Sequence, residues 1–466
     1  MASITPTPTL LLPALPPKTL IGIDLITFTS TPNFHGIRDI PAGWHFLYSG
    51  TTEGFSLRSG AWFYVHDSDG AKNASGAEMQ ILVWKWNPET EGLEPLRSEQ
   101  REEGMRLRAN IGALWRGGVL FGYRSRVPRG VVKVGQQGGG TVTEDEKDEE
   151  EEEGRREWRG LTDKFSARLL SRIIGEPGGR DIDWEGRPRW LVTSGSTARR
   201  DDDDIPGLGG GSFAKQGTEG EEVNEVAVAP TVMTVGEREP EFSFLPVDLK
   251  MTWREGAIGR ERTEAARDRS WALGDIISRV SGGGGDAEGQ AQVLGELQFT
   301  FLMGLTLMNY SCLQQWKRLL GLILTCRRAV VERASFMADV LCLLLRQLKR
   351  CGDVEGGLFD QLGGEGGGDG GDFLRKLLRG FRTVLYEEVD AVSTSPVKAE
   401  FERLEAWVKD EFDWELNRDA VLRKGMIQLE DGEEVEVEMI NEEEDDYAPV
   451  IVDLDETDFD DRAPNI

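Results

Sequence analysis

Three histidines, His35, His45 and His66, are the side chains of this sequence best suited to acid–base or metal chemistry. His45 stands between Trp44 and Phe46 in a strand-like run. A zinc centre needs further His or Cys ligands at defined spacing, and none accompanies it, so a structural histidine is expected. No GxSxG elbow, GxxxxGK[ST] loop or HExxH pair is present. Gly207-Leu208-Gly209-Gly210-Gly211 neither follows a strand nor opens a helix, so it lacks the setting of a dinucleotide loop and reads as flexible coil. Arg124, Arg126, Arg129 and Lys133 form a basic stretch that suits RNA, an acidic partner, or simply solvent. Ser395-Pro396-Val397-Lys398 has the form of a proline-directed kinase site, ahead of a last helix expected to begin near Lys398. These residues predict no catalytic site, no cofactor and no metal.

The elements that would carry them divide into two kinds. Residues 9–180 read as a mainly β domain, a sandwich or barrel-like sheet. Its candidate strands are Leu20–Phe28, Trp44–Tyr48, Ala61–Val65 and Ile81–Trp86, rich in β-branched and aromatic residues and parted by Gly, Pro, Asn and Asp. Leu161, Phe165, Leu169, Leu170 and Ile173 share one helical face, which predicts a helix over 161–174 closing this domain. The Gly-rich and acidic stretch at about 136–153 is too hydrophilic to pack and is expected to be disordered. Residues 181–240 read as a flexible linker.

Over 241–420 the pattern is helical, with five or six segments in an irregular bundle or short solenoid. Leu313, Trp316, Leu320, Ile323 and Leu324 form one apolar stripe. The segment Phe336–Leu348 carries leucines almost all round and is expected at the centre of the stack. The fold class is therefore α+β and multidomain, followed by an acidic tail over 421–466. Within the tail, residues 447–455 have strong β-propensity and nothing local to bury them. Val450, Val452 and Leu454 would face one way and Ile451 the other in a strand added to an exposed sheet edge, of a partner or of this chain's own β domain.

The net charge of −29 is confined to a few runs. Residues 430–461 hold 17 acids and no base, Glu144–Glu153 holds nine acids against Lys147, and Asp201–Asp204 adds four. The rest is close to neutral, so binding free nucleic acid is not expected to be the main activity, since that needs a net basic face. Cys312, Cys326, Cys342 and Cys351 include no CxxC pair and fit reduced core thiols. The N-terminus lacks a basic region before its leucines, and the longest apolar run, Phe299 to Met308, is too short for a bilayer, so a soluble intracellular protein is expected.

Three separated motifs carry a resemblance. They are Gly22-Ile23-Asp24-Leu25 with Pro32–Phe46, then Val293-Leu294-Gly295-Glu296-Leu297-Gln298-Phe299 with Gln315–Leu320, and the tail Ala448–Leu454. In this order they resemble the Aar-two family of U-five snRNP assembly factors. The resemblance implies a nonenzymatic protein that binds Prp-eight in a cytoplasmic U-five snRNP precursor and acts in the cytoplasm and nucleus. It implies contact with the RNase H-like domain, a tail strand (Val450, Ile451, Val452, Leu454) reaching toward the Jab/MPN-like domain, and exclusion of the helicase and RNA until exchange. No direct nucleic acid, membrane or cofactor is required. The alternative from the residues alone is a general α-helical adaptor with other partners; an enzyme with an unrecognised site is disfavoured by the missing motifs.

Overall fold

The structure, a computed structural model, describes residues 7–50, 57–67, 80–125, 144–198, 241–351, 370–389, 395–417, 423–428 and 434–439. Ten strands build the first part: β1 (Thr9–Leu11), β2 (Leu20–Ile23), β3 (Ile26–Thr29), β4 (Gly36–Arg38), β5 (Gly43–Gly50), β6 (Ser59–Val65), β7 (Ile81–Asn87), β8 (Gly92–Pro95), β9 (Leu120–Gly122) and β10 (Trp190–Thr193). They form two five-stranded sheets, in the orders β8-β7-β1-β4-β9 and β10-β6-β5-β2-β3. The second is antiparallel throughout, while the first mixes parallel β1–β7 and β4–β9 pairs with antiparallel ones.

Alternation along each strand sets the layers. Leu10, Leu12, Ile37, Leu82 and Trp84 from one sheet meet Ile21, Ile23, Leu47, Phe63 and Val65 from the other in a shared core. Leu11, Ile81 and Val83 point the opposite way, against helix α1 (Arg101–Arg116) through Ile111 and Leu107. Phe46, Tyr48, Trp62, Trp190 and Val192 leave the other side of the second sheet and enter the core of the helical region. The central strands of both sheets are thus covered on both faces. That is why Gly60-Ala61-Trp62-Phe63 reads as a buried run and not as an apolar–polar alternation.

The expected helix over 161–174 is two helices, α2 (Glu144–Thr162) and α3 (Ala167–Ile174). Ser166 divides them: its extended backbone and side-chain oxygen cap α3 by accepting from the Leu169 N–H at 3.1 Å. The acidic stretch expected to be disordered is also corrected, since its second half is the first part of α2. Glu151 accepts from the Ser125 N–H at 3.0 Å and from Arg124 Nη1 at 3.3 Å, which fixes that turn of helix. The span read as linker begins with ordered chain: β10 pairs with β6, Trp190 opposite Trp62, and Ala198 bridges to Phe242.

The helical region contains α4 (Gly259–Arg267), α5 (Ser270–Val280), α6 (Asp286–Leu307), α7 (Tyr310–Ile323), α8 (Ala329–Glu332), α9 (Ala334–Cys351), α10 (Gly370–Glu388) and α11 (Pro396–Phe412). More helices result than expected because the backbone leaves the helical conformation at Asp268 and again at Arg333. The centre of the stack is α6, not the Phe336–Leu348 segment. Gln292 to Gly304 is buried without interruption, whereas α9 keeps Arg346 and Lys349 exposed. Gly289 and Gly295 allow this, since a Cβ there would strike Ile277 and Leu169 respectively. The four cysteines are free, with Cys312, Cys326 and Cys351 buried. In the span read as acidic tail, strands β11 (Arg423–Gln428) and β12 (Glu434–Met439) pair as an antiparallel hairpin.

Candidate functional site

The histidine with the most suggestive sequence setting is fully committed. His45 is 1% exposed, with Nδ1 2.8 Å from Asp24 Oδ2 and Nε2 2.8 Å from the Pro41 carbonyl. Asp24 also accepts from the Phe46 N–H at 2.9 Å and from the Tyr123 hydroxyl at 2.6 Å. Burial, followed by the Asp24 charge, pushes the Tyr123 hydroxyl well above the ordinary tyrosine range. Asp24 sits at φ 55°, between β2 and β3, and is buried. The set ties β2, β5 and the residue after β9 together, and every polar atom of it has a structural partner. His35 and His66 are exposed, and among the described residues no group of three His, Cys, Asp or Glu is placed to hold a metal.

Beside this network lies a cleft of about 360 Å³ between the second sheet and α2. Trp44, Tyr64, Trp158 and Phe165 supply aromatic walls, and Arg155, Arg159 and Asp163 supply charge. Trp158 is fixed there by donating to the Trp44 carbonyl at 2.8 Å.

The polar residues of the Val293–Phe299 and Gln315–Leu320 motifs do structural work at the seam between the β and helical regions. Glu296, 0% exposed, accepts from Arg172 Nη1 of α3 at 2.7 Å, the Leu245 N–H at 2.9 Å and Gln315 Nε2 at 2.8 Å. Gln298 accepts from the Lys164 N–H at 3.1 Å and donates to the Gly160 carbonyl at 3.3 Å. Asn309 caps α7 by accepting from the Cys312 N–H at 2.9 Å and donates to the Ser196 carbonyl at 2.8 Å. Trp316 donates to Gln347 Oε1 at 3.0 Å. Arg58 reaches across to the Thr306 carbonyl at 2.9 Å.

The Val293–Phe299 and Gln315–Leu320 motifs therefore join the β and helical parts into one body. Residues 6–175 match the AAR2 N-terminal domain, and residues 244–417 match the AAR2 C-terminal repeat region. The chain belongs to the AAR2 (Aar-two) family. The proteins named Protein AAR2 homolog of Homo sapiens and of Pongo abelii are each 23% identical over 339 residues, covering 72% of this chain and 73% of the relative. The Oryctolagus cuniculus Protein AAR2 homolog is 31% identical over 140 residues, 30% of this chain and 39% of that protein.

Of the site residues expected in this AAR2 chain, Ser395 is the residue before α11, with Pro396 at its first turn. The helix begins there and not at Lys398, because proline with its fixed φ suits the first helical position. The Ser395 side chain makes no capping bond. Val450, Ile451, Val452 and Leu454 lie outside the described residues, as do Arg126, Arg129, Lys133 and Gly207–Gly211. Arg124, the described member of the basic stretch, pairs with Glu151. Sequence reasoning missed the aromatic cleft, since Trp44, Tyr64 and Trp158 are far apart in the chain. No helix among the described residues is long and apolar enough to cross a membrane.

Proposed function

We propose that this protein is a nonenzymatic assembly factor of the U-five snRNP in pre-mRNA splicing. In this reading it binds Prp-eight in a cytoplasmic precursor, holds off the helicase and RNA, and is released on exchange in the nucleus. The observation that carries the proposal is the match to both AAR2 regions in order, over a body in which the motif residues Glu296 and Gln298 join the two. Such a body suits rigid presentation of surfaces, with a tethered strand at Val450–Leu454 adding a second contact through effective concentration. The RNase H-like domain would meet the body, and the Jab/MPN-like domain the strand. Phosphorylation of Ser395 would add negative charge at the start of α11 and alter release.

Purification of the tagged chain from cytoplasmic extract is expected to bring down Prp-eight in stoichiometric amount and without the helicase. Val452→Pro is expected to weaken binding to linked RNase H-like and Jab/MPN-like domains by removing a ladder donor, while leaving binding to the RNase H-like domain alone unchanged. Absence of Prp-eight from the purified material would replace this reading with the general adaptor.

A further inference from the structure

Among the described residues, the aromatic cleft holds a charge with no counterion. Arg155 is half-buried, its Nε is sealed from solvent with no hydrogen-bond acceptor, and its guanidinium forms no ion pair among the described residues. The neighbouring acids are engaged elsewhere. Glu151 serves Arg124 and Ser125, while Asp163 takes Lys164 Nζ at 2.9 Å and Gln298 Nε2. Among the described residues, Arg159 pairs with Glu152 alone, at 4.0 Å. Taking a cation part-way out of water without a partner is costly, so an unpaired guanidinium in a cleft marks a place for an anion. The walls add a second requirement. Trp44 and Tyr64 meet edge to face at 5.1 Å, and Tyr64 stays 39% exposed. They favour a flat apolar group beside that anion.

The chain carries this pairing in its own acidic segment, at Asp446-Tyr447. We propose that the cleft is a docking site for that segment, with the Tyr447 ring against Trp44, Tyr64 and Trp158 and the Asp446 carboxylate on Arg155. The reach suffices. Helix α11, which leads into the tail, packs on α9, and α9 packs on α2, which forms one cleft wall. Two helix spacings amount to about 16–20 Å. Residues 418–422 and 440–446, taken as extended chain on either side of hairpin β11–β12, supply about 40 Å. Tethering places the segment at an effective concentration of about millimolar, so a weak contact is populated. Docking at Tyr447 sequesters the adjoining Ala448–Leu454, which makes the contact autoinhibitory for strand addition. That regulatory consequence rests on the Prp-eight reading above; the docking itself does not.

The test is a calorimetric titration of a synthetic peptide spanning residues 441–456 into full-length chains, with no Prp-eight present. Saturable binding is expected to the Tyr447→Ala chain. Binding about tenfold weaker is expected to the wild type, whose cleft is filled, and to the Tyr447→Ala/Arg155→Gln chain. A peptide carrying Asp446→Asn should lose a similar factor, and this change cannot act by unfolding the protein. Absence of saturable binding overturns the proposal, as does equal binding with and without Arg155, or equal binding of a scrambled acidic peptide. Any of these three failures leaves copurification with Prp-eight unaffected, so the two readings fall separately.

Discussion

Trp316 shows how one side chain can be both filler and connector. It is 0% exposed on the buried face of α7, packs 6.0 Å from Phe301 between ring centroids, and donates to Gln347. Trp316→Ala is expected to lower stability by about 3–5 kcal/mol, read from chemical denaturation. Trp316→Phe should cost less but still orphan the Gln347 oxygen, so a variant matching wild type would contradict the bond. Asp268 sets a pH dependence. Burial pushes its carboxyl up, but donors from Ser270 and Arg328 outweigh that and hold it below its ordinary value. A depressed carboxyl contributes stability that is present above its unfolded pKa, about 3.9, and is lost as pH falls through the lower folded value. Asp268→Asn should therefore flatten the loss of stability on acidification below about pH 4, and an unchanged acid profile would refute the assignment.

At the scale of elements, α2 is the place where composition misleads. Glu144–Glu153 has the makeup of a solvated run, yet Glu151 is spent on Ser125 and Gly154 lies so close to Ser125 that no Cβ would fit. A deletion of residues 136–143 is expected to leave the thermal midpoint nearly unchanged, whereas one continuing to Glu153 should lower it by several degrees. Equal midpoints would mean that this half of α2 is dispensable. The apolar stripe of α7 was legible because it buries a periodic face, and strands β5, β6 and β7 because they are short β-branched and aromatic runs set off by turn residues. Helix α1 was not, because it is mostly polar and its buried contribution is little more than Ile111 and Leu107. Glu296 and Gln298 drew notice as part of a family pattern, but their role is set by Arg172 and Lys164, which no local spacing connects to them. The cleft was hidden for the same reason.

For the whole molecule, the boundary between the two AAR2 regions is not a boundary in the core. Phe46 and Trp62 of the second sheet, Trp158 and Phe165 of the α2–α3 segment, and Phe299, Trp316 and Phe401 of the helical region belong to one continuous apolar cluster. Phe165 and Phe242 both face Phe299, at 6.5 and 5.9 Å between ring centroids. The seam adds the Arg172–Glu296 and Arg350–Glu157 ion pairs and the hydrogen bonds of Arg58, Gln298 and Asn309. A joint this apolar does not behave as a hinge between independent domains, because opening it would expose core to water. The full chain is thus expected to unfold in one calorimetric transition with matching calorimetric and van't Hoff enthalpies. Residues 244–417 produced alone should bind a hydrophobic dye and melt without cooperativity, since the α6 face that meets Leu169 and Phe165 is left bare. Adding residues 7–198 in trans should restore a cooperative melt. Two separate transitions in the full chain, or a native-like melt of 244–417 alone, would show that the joint is an interface between self-sufficient domains, and the body would then have to be treated as two binding modules.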